Sequence, residues 1–234
     1  MSEPLVLFRG AAFSWADRVI LQDFELSVPA AGLTWMIGKS GVGKSTLLKL
    51  MAGHLKLRQG RCVVNGTLIE APTPKVGYVP QDCRLFHWLR LTENVRYSVE
   101  LNPYTGPEDK AWFDGLIERF GLADAGHLWP HQLSGGMAQR AAILRALYLA
   151  PPVIILDEPF SAIDGENTRR CLAVLREYAA RGYGRVLIST HEIGLISGRN
   201  DPVVSLQQVA GSSRLGAQYD EAFTETQIAR LRAV

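Results

Sequence analysis

The stretch Gly38-Lys39-Ser40-Gly41-Val42-Gly43-Lys44-Ser45-Thr46 holds the residue types needed to grip a multiply charged anion. Its spacing, G-x-x-x-x-G-K-[ST], is that of a phosphate loop. Gly38, Gly41 and Gly43 can take positive φ, which lets successive backbone N–H groups curl toward one point. Lys44 sets a positive charge against the β- and γ-phosphates of a nucleotide, and Ser45 offers a hydroxyl to Mg²⁺. A flexible Gly/Ser loop is the alternative, and the flanks argue against it. Residues 33–37 form a short apolar run, and Leu47, Leu48, Leu50 and Met51 recur at helical spacing. The phosphates would then sit on a helix N-terminus.

Two other clusters bear on the same chemistry. Asp157-Glu158 closes the continuous apolar run Val153-Ile154-Ile155-Leu156, which reads as a buried parallel strand. Open α/β sheets bind ligands at the carboxyl ends of such strands. Asp157 could help hold Mg²⁺ through its water shell, while Glu158, pointing elsewhere, could polarise a water for attack. Two solvated turn carboxylates are the other reading. In Leu133-Ser134-Gly135-Gly136-Met137-Ala138-Gln139-Arg140, Ser-Gly-Gly opens a helix. A hydroxyl, bare N–H groups and the helix dipole make a second anion cradle, unless the serine is only an N-cap beside a glycine turn. One nucleotide needs one such cradle at its γ-phosphate, so the second suggests a site completed by another copy of the chain.

The elements that must position these residues can be read in outline. Residues 5–9 and 19–28 read as strands with Trp15 in the turn between them, and Arg61 to Ile69 as a hairpin around a type I′ Asn65-Gly66 turn. Gly53 ends the helix after the phosphate loop. Val76 to Pro80 is a short strand stopped by its proline. Residues 84–150 show helical patterns, with Trp112, Leu116, Ile117 and Phe120 on one face and a helix from Ser134 to about Leu149. A helix at about 166–181, stopped by Gly182, and a buried strand at 186–189 complete the pattern. The last 25 residues carry weak signals. Strands alternating with helices indicate an α/β fold with a mostly parallel sheet.

Composition narrows the class. The chain has 234 residues, 47% of them hydrophobic, enough for a sizeable core. With 25 basic against 23 acidic residues it offers no basic tail or patch for nucleic acid. Cys62, Cys83 and Cys171 are too scattered for a metal site and suit a reducing compartment. The N-terminus lacks the pattern of a signal peptide. The most apolar region, residues 141–156, is interrupted by Arg145 and Pro151-Pro152, so no membrane span is expected.

Over roughly residues 5–205 the motif order resembles the ATP-binding subunits of ABC transporters. The order is the phosphate loop, Gln81 after an apolar strand, the 133–140 signature, Asp157-Glu158, Ser161-Ala162-Ile163-Asp164, and His191 past the last core strand. The resemblance implies a RecA-like phosphate-loop core with an N-terminal antiparallel β subdomain and an inserted helical subdomain. The whole of 1–234 would be one ATPase domain, with 1–83 and 151–234 as core and 84–150 as the helical part carrying the signature. No sizeable regulatory domain would follow residue 205.

It also implies roles. Trp15 would stack on adenine, and Gln81 would reach Mg²⁺ and the attacking water. Ser134, Gly135, Gly136 and Met137 would contact the γ-phosphate held by the opposite subunit. Asp164 would lie at the dimer interface, and His191 would bond the γ-phosphate. Lys44, Gln81, Glu158 and His191 would be catalytic, with Ser45, Gln81 and Asp157 toward Mg²⁺. Implied partners are a second copy, a transmembrane permease docking after Gln81, and a periplasmic solute-binding protein. The implied location is the cytoplasmic face of the inner membrane.

Phe86, Trp88 and Leu89 could receive a permease helix or simply pack the helical subdomain. Two positions depart from the family pattern: Met137 replaces the glutamine common at the fifth signature position, and Ile163 a common leucine. The Met form followed by Gln139-Arg140, with the 81–88 stretch, is similar to nitrate/sulfonate/taurine-type importers, though Phe86-His87 stands where those importers carry Leu-Pro. An exporter or lipid-extracting system uses the same site. A soluble non-transport ATPase of this family generally carries two cassettes or a long coiled-coil insertion, and neither is present.

Overall fold

The computed structural model describes residues 3–101, 110–196, 201–210 and 212–221. It divides into two compact units, residues 1–73 with 187–234, and residues 74–186.

In the first unit, β1 (Val6–Trp15) and β2 (Arg18–Val28) pair antiparallel, and β1 also pairs antiparallel with a strand at Gln59–Val64, numbered β4 below. Along β2 the residues Leu21, Phe24, Leu26 and Val28 are buried. The register slips three times along β1/β2, so β1 runs further than expected and Trp15 is its last residue rather than a turn residue. The next strand, β3 (Leu33–Ile37), is buried at every position and leads into the phosphate loop and α1 (Lys44–Met51). Leu47, Leu48, Leu50 and Met51 are almost completely buried, about 1.5–3 kcal/mol each in transfer terms. Gly53 takes a φ of 75° just past α1, the expected stop. The hairpin β4 (Gln59–Val64) and β5 (Thr67–Leu68) turns at Asn65 and Gly66, both at positive φ, as type I′ requires.

In the second unit, β6 (Val76–Val79) pairs parallel with β7 (Val153–Asp157), every residue of which is buried. Between them lie α2 (Leu91–Leu101), the short α3 (Lys110–Asp114) and α4 (Leu116–Arg119), and α5 (Gly135–Leu149). The face expected from residue 112 to 120 is split by Gly115, yet Trp112, Leu116 and Phe120 are buried as one face. A left-handed Ala150 and then Pro151 end α5. After α6 (Gly165–Ala180), which buries Leu172, Leu175 and Tyr178, Gly182 at φ 75° turns the chain into β8 (Arg185–Thr190).

The first unit contains two strands that the sequence reading did not identify. β9 (Val203–Gln208) runs parallel to β3, and β10 (Leu215–Asp220) pairs antiparallel with β9. Residues 222–234, part of the tail with weak signals, lie outside the described residues. No helix among the described residues is long and apolar enough to cross a membrane.

Candidate nucleotide site

The site residues are divided between the two units. In the first unit the phosphate loop wraps a cavity of about 520 Å³ lined by residues 37–42, His191, Ile193, Leu206, Gln207 and Gln208. The three loop glycines differ in purpose. Gly41 and Gly43 take φ of 75° and 121°, so both supply the left-handed backbone expected of them. Gly38 does not. It is needed because a Cβ there would lie 2.8 Å from the Leu206 carbonyl oxygen and 2.9 Å from Val42 Cγ1. β9 therefore presses on the loop from behind.

Helix α1 starts at Gly43 with no side chain capping its N–H groups. Four N–H groups at a helix start lack intrahelical partners, and an anion is their natural complement. Lys44 is 4% exposed, and its Nζ donates to the carbonyls of Gly38 at 2.8 Å and Lys39 at 3.2 Å. The lysine thus folds across the mouth of its own loop. Ser45 and Thr46 follow in the first turn of the helix, and Lys39 and Ser40 are exposed at the loop tip. Trp15 is 48% exposed, braced edge-on by Phe13, and donates from Nε1 to Thr46 Oγ1 at 3.3 Å. One indole face is thereby presented beside the loop. His191 is exposed on the cavity lining.

The second unit gathers the remaining residues. Ser134 caps α5, its Oγ accepting from the Met137 N–H at 3.2 Å. Gly136 has no room for a side chain, since a Cβ would sit 2.7 Å from the Ala162 carbonyl oxygen. The signature turn is therefore packed on the segment leading to Asp164. That aspartate caps α6, accepting from the N–H groups of Glu166 at 3.1 Å and Asn167 at 2.9 Å. The Asn167 N–H, with its side-chain amide, holds the Asp164 carboxyl below the ordinary aspartate range. The buried Arg140 of α5 donates to Asn167 Oδ1 at 3.3 Å, so signature helix and Asp164 share one network.

Asp157 ends β7 at 2% exposure, whereas Glu158 is half-buried and left-handed, with φ 46°. A non-glycine residue held there costs on the order of 1–3 kcal/mol, and such strain clusters at functional sites. It takes Glu158 out of the strand's alternation, so the neighbouring carboxylates face different surroundings.

Gln81 is exposed at the start of a turn in which Cys83 and Arg84 both have positive φ. Helix α5 secures that turn: Cys83 Sγ donates to Gln139 Oε1 at 2.8 Å, and Arg145 donates to the Arg84 carbonyl at 2.9 Å. Beyond it the buried Asn94 accepts from the Phe86 N–H and donates to the carbonyls of Phe86, Leu89 and Arg90. Trp88, 66% exposed, is displayed on this fixed loop. Leu206, Gln207 and Asn94 have no mark in the sequence. Only their partners, far along the chain, reveal them.

Cys62, Cys83 and Cys171 are free thiols, and burial pushes Cys62 and Cys171 up to about 12, where they are inert.

A phosphate loop that leads from a buried strand into an uncapped helix start defines a phosphate-loop nucleotide-binding protein. The profile of the family described as ABC transporter matches residues 21–161, and the chain belongs to that family. It is accordingly an ATP-binding, ATP-hydrolysing subunit of the ABC type. It is 35% identical, over 82% of its length and 70% of the relative's, to an aliphatic sulfonates import ATP-binding protein of Burkholderia cenocepacia (strain HI2424). A protein of the same description from Bacillus subtilis (strain 168) is 37% identical over 75% of this chain and 68% of its own. Among solved structures, a bacterial Atm1-family ABC exporter with ATP bound superimposes with a TM-score of 0.77 at 25% identity, over 99% of this chain and 40% of that one.

Proposed function

We propose that this chain is the energy-supplying subunit of a bacterial importer of small sulfonate-class solutes, working as a homodimer. It would form one ATPase domain over 1–234, with 84–150 as its helical part. Each ATP lies between the phosphate loop of one copy and the Ser134-Gly135-Gly136 helix start of the other. Trp15 stacks on the adenine, and the N–H groups of residues 38–46 with Lys44 hold the β- and γ-phosphates. His191 bonds the γ-phosphate, and Glu158 accepts the proton of the attacking water that Gln81 orients. Asp164 faces the partner copy.

The γ-phosphate touches both copies, whereas ADP cannot, and that difference in affinity is what closes the pair. Cleavage removes the bridge and reopens it. A permease helix seats against Trp88, Phe86 and Leu89, which places the chain on the cytoplasmic face of the membrane. A solute-binding protein delivers the cargo outside.

The residues assigned to Mg²⁺ fit it by donor type: the Ser45 hydroxyl, the Asp157 carboxylate and the Gln81 amide oxygen are all hard oxygen ligands. Among the described residues no group of three or more His, Cys, Asp or Glu could cage a metal. That suits an ion held mainly by phosphates and water. When bound, it neutralises charge developing on the phosphate oxygens.

The observation that carries this reading is a second anion-gripping helix start, exposed at Ser134, in a chain that already has a complete phosphate loop. Import rather than export is favoured by the sulfonate-import relatives, because the fold is common to both. The test is reconstitution with a partner permease in membrane vesicles. ATP hydrolysis should rise when an aliphatic sulfonate and its binding protein are supplied outside. Stimulation by a lipid substrate instead, with none by sulfonate, would overturn the import assignment.

A further inference from the structure

Tyr78 is a residue the nucleotide chemistry above does not use. It stands in β6 opposite Ile155 of β7 in a parallel register. Alternation puts Asp157, two residues beyond Ile155, on the same sheet face as Tyr78. Two residues of strand span about 6.6 Å, a gap that a phenol can bridge and a shorter hydroxyl cannot. The Tyr78 hydroxyl donates to Asp157 Oδ2 at 3.1 Å.

We propose that Tyr78 is a positioning residue that fixes the plane of the Asp157 carboxylate for Mg²⁺ in the ATP complex. The inference rests on the assignment of Asp157 to Mg²⁺. A carboxylate on a short side chain can rotate about its last bond. A hydrogen bond to one oxygen sets where the other points, as partners of metal-orienting carboxylates commonly do. Donor and acceptor are unambiguous. A phenol carries an O–H to donate, and a carboxylate oxygen accepts. The backbone around the pair is firm: β7 is buried throughout, and the β6/β7 ladder holds four consecutive pairs up to Val79 and Leu156. The Tyr78 hydroxyl therefore acts on the carboxylate plane rather than on the backbone.

Tyr78→Phe deletes one oxygen and keeps the ring. Equilibrium titrations with a fluorescent ATP analogue, in EDTA and across a Mg²⁺ series, separate its effects, with Asp157→Asn measured alongside. Expected for Tyr78→Phe is about a tenfold rise in the Mg²⁺ concentration at half-saturation, with nucleotide affinity in EDTA unchanged. Equal losses with and without Mg²⁺ would overturn the proposal, since they describe general loosening. So would an unshifted Mg²⁺ series in Tyr78→Phe beside a clear shift in Asp157→Asn. If neither variant shifts the series, the assignment of Asp157 to Mg²⁺ falls, and this inference with it.

Discussion

Helices α1 and α5 begin in opposite ways, although the proposed function assigns both to the nucleotide machinery. The first N–H groups of α1 have no side-chain cap, and a glycine at φ 121° opens the helix. Helix α5 is capped by its own Ser134 and opens with the serine in extended conformation. An uncapped start is a site waiting for an anion, with its lysine already folded over the loop. A self-capped start is stable without one and, as proposed, would add its hydroxyl and N–H groups to a ligand that something else already holds. In the proposed dimer the difference implies an order: nucleotide would bind first at the phosphate loop of one copy, and the signature of the second copy would close on it.

Four substitutions break or sharpen this contrast. Glu158→Gln freezes the state in which both helix starts hold one nucleotide. Phosphate release should fall by about 10²–10⁴-fold while ATP binding persists, and unchanged release would remove Glu158 as the base. Lys44→Ala attacks the uncapped start alone. Losing a charge-assisted bond of about 2–3 kcal/mol lowers ATP affinity by roughly 100-fold, effectively abolishing binding at working concentrations, as a nucleotide titration would show.

Ser134→Ala acts on the self-capped start. It should leave ATP affinity of the isolated chain unchanged and weaken ATP-driven pairing. It should also lower unfolding free energy by about 1 kcal/mol, measured by urea denaturation. The smallest effect concerns Asp164, which caps α6. Its carboxyl titrates below the ordinary aspartate range when folded, so its contribution is complete above that range and lost as pH falls through the folded value. Acid unfolding curves of wild type and Asp164→Asn should converge at low pH and separate at neutral pH.

Legibility followed sequence distance. The phosphate loop, the Asn65-Gly66 turn, the Ser134 cap and the buried run at 153–157 depend on residues within a few positions of one another, and the structure shows each. Strands β9 and β10 were not legible. Val203-Val204-Ser205-Leu206-Gln207-Gln208 loses its apolar character halfway, and Leu215–Asp220 lacks a clean alternation. Each is a strand because a distant partner supplies its ladder. The true reason for Gly38 was hidden for the same cause, since its neighbour Leu206 lies in β9. The placement of Trp15 went astray because bulge-like slips lengthen β1, which no local pattern marks. Tyr78 and Asp157 meet across 79 positions, and only the β6/β7 register brings them together.

The central claim is that one ATP is held by helix starts from two copies of the chain. Sedimentation of Glu158→Gln tests it most directly, with ATP and with ADP, and with or without Ser134→Arg. The account predicts a dimer with ATP, a monomer with ADP, and a monomer that still binds ATP once Ser134→Arg is added. A dimer that ignores the nucleotide, or one that survives Ser134→Arg unchanged, would contradict it.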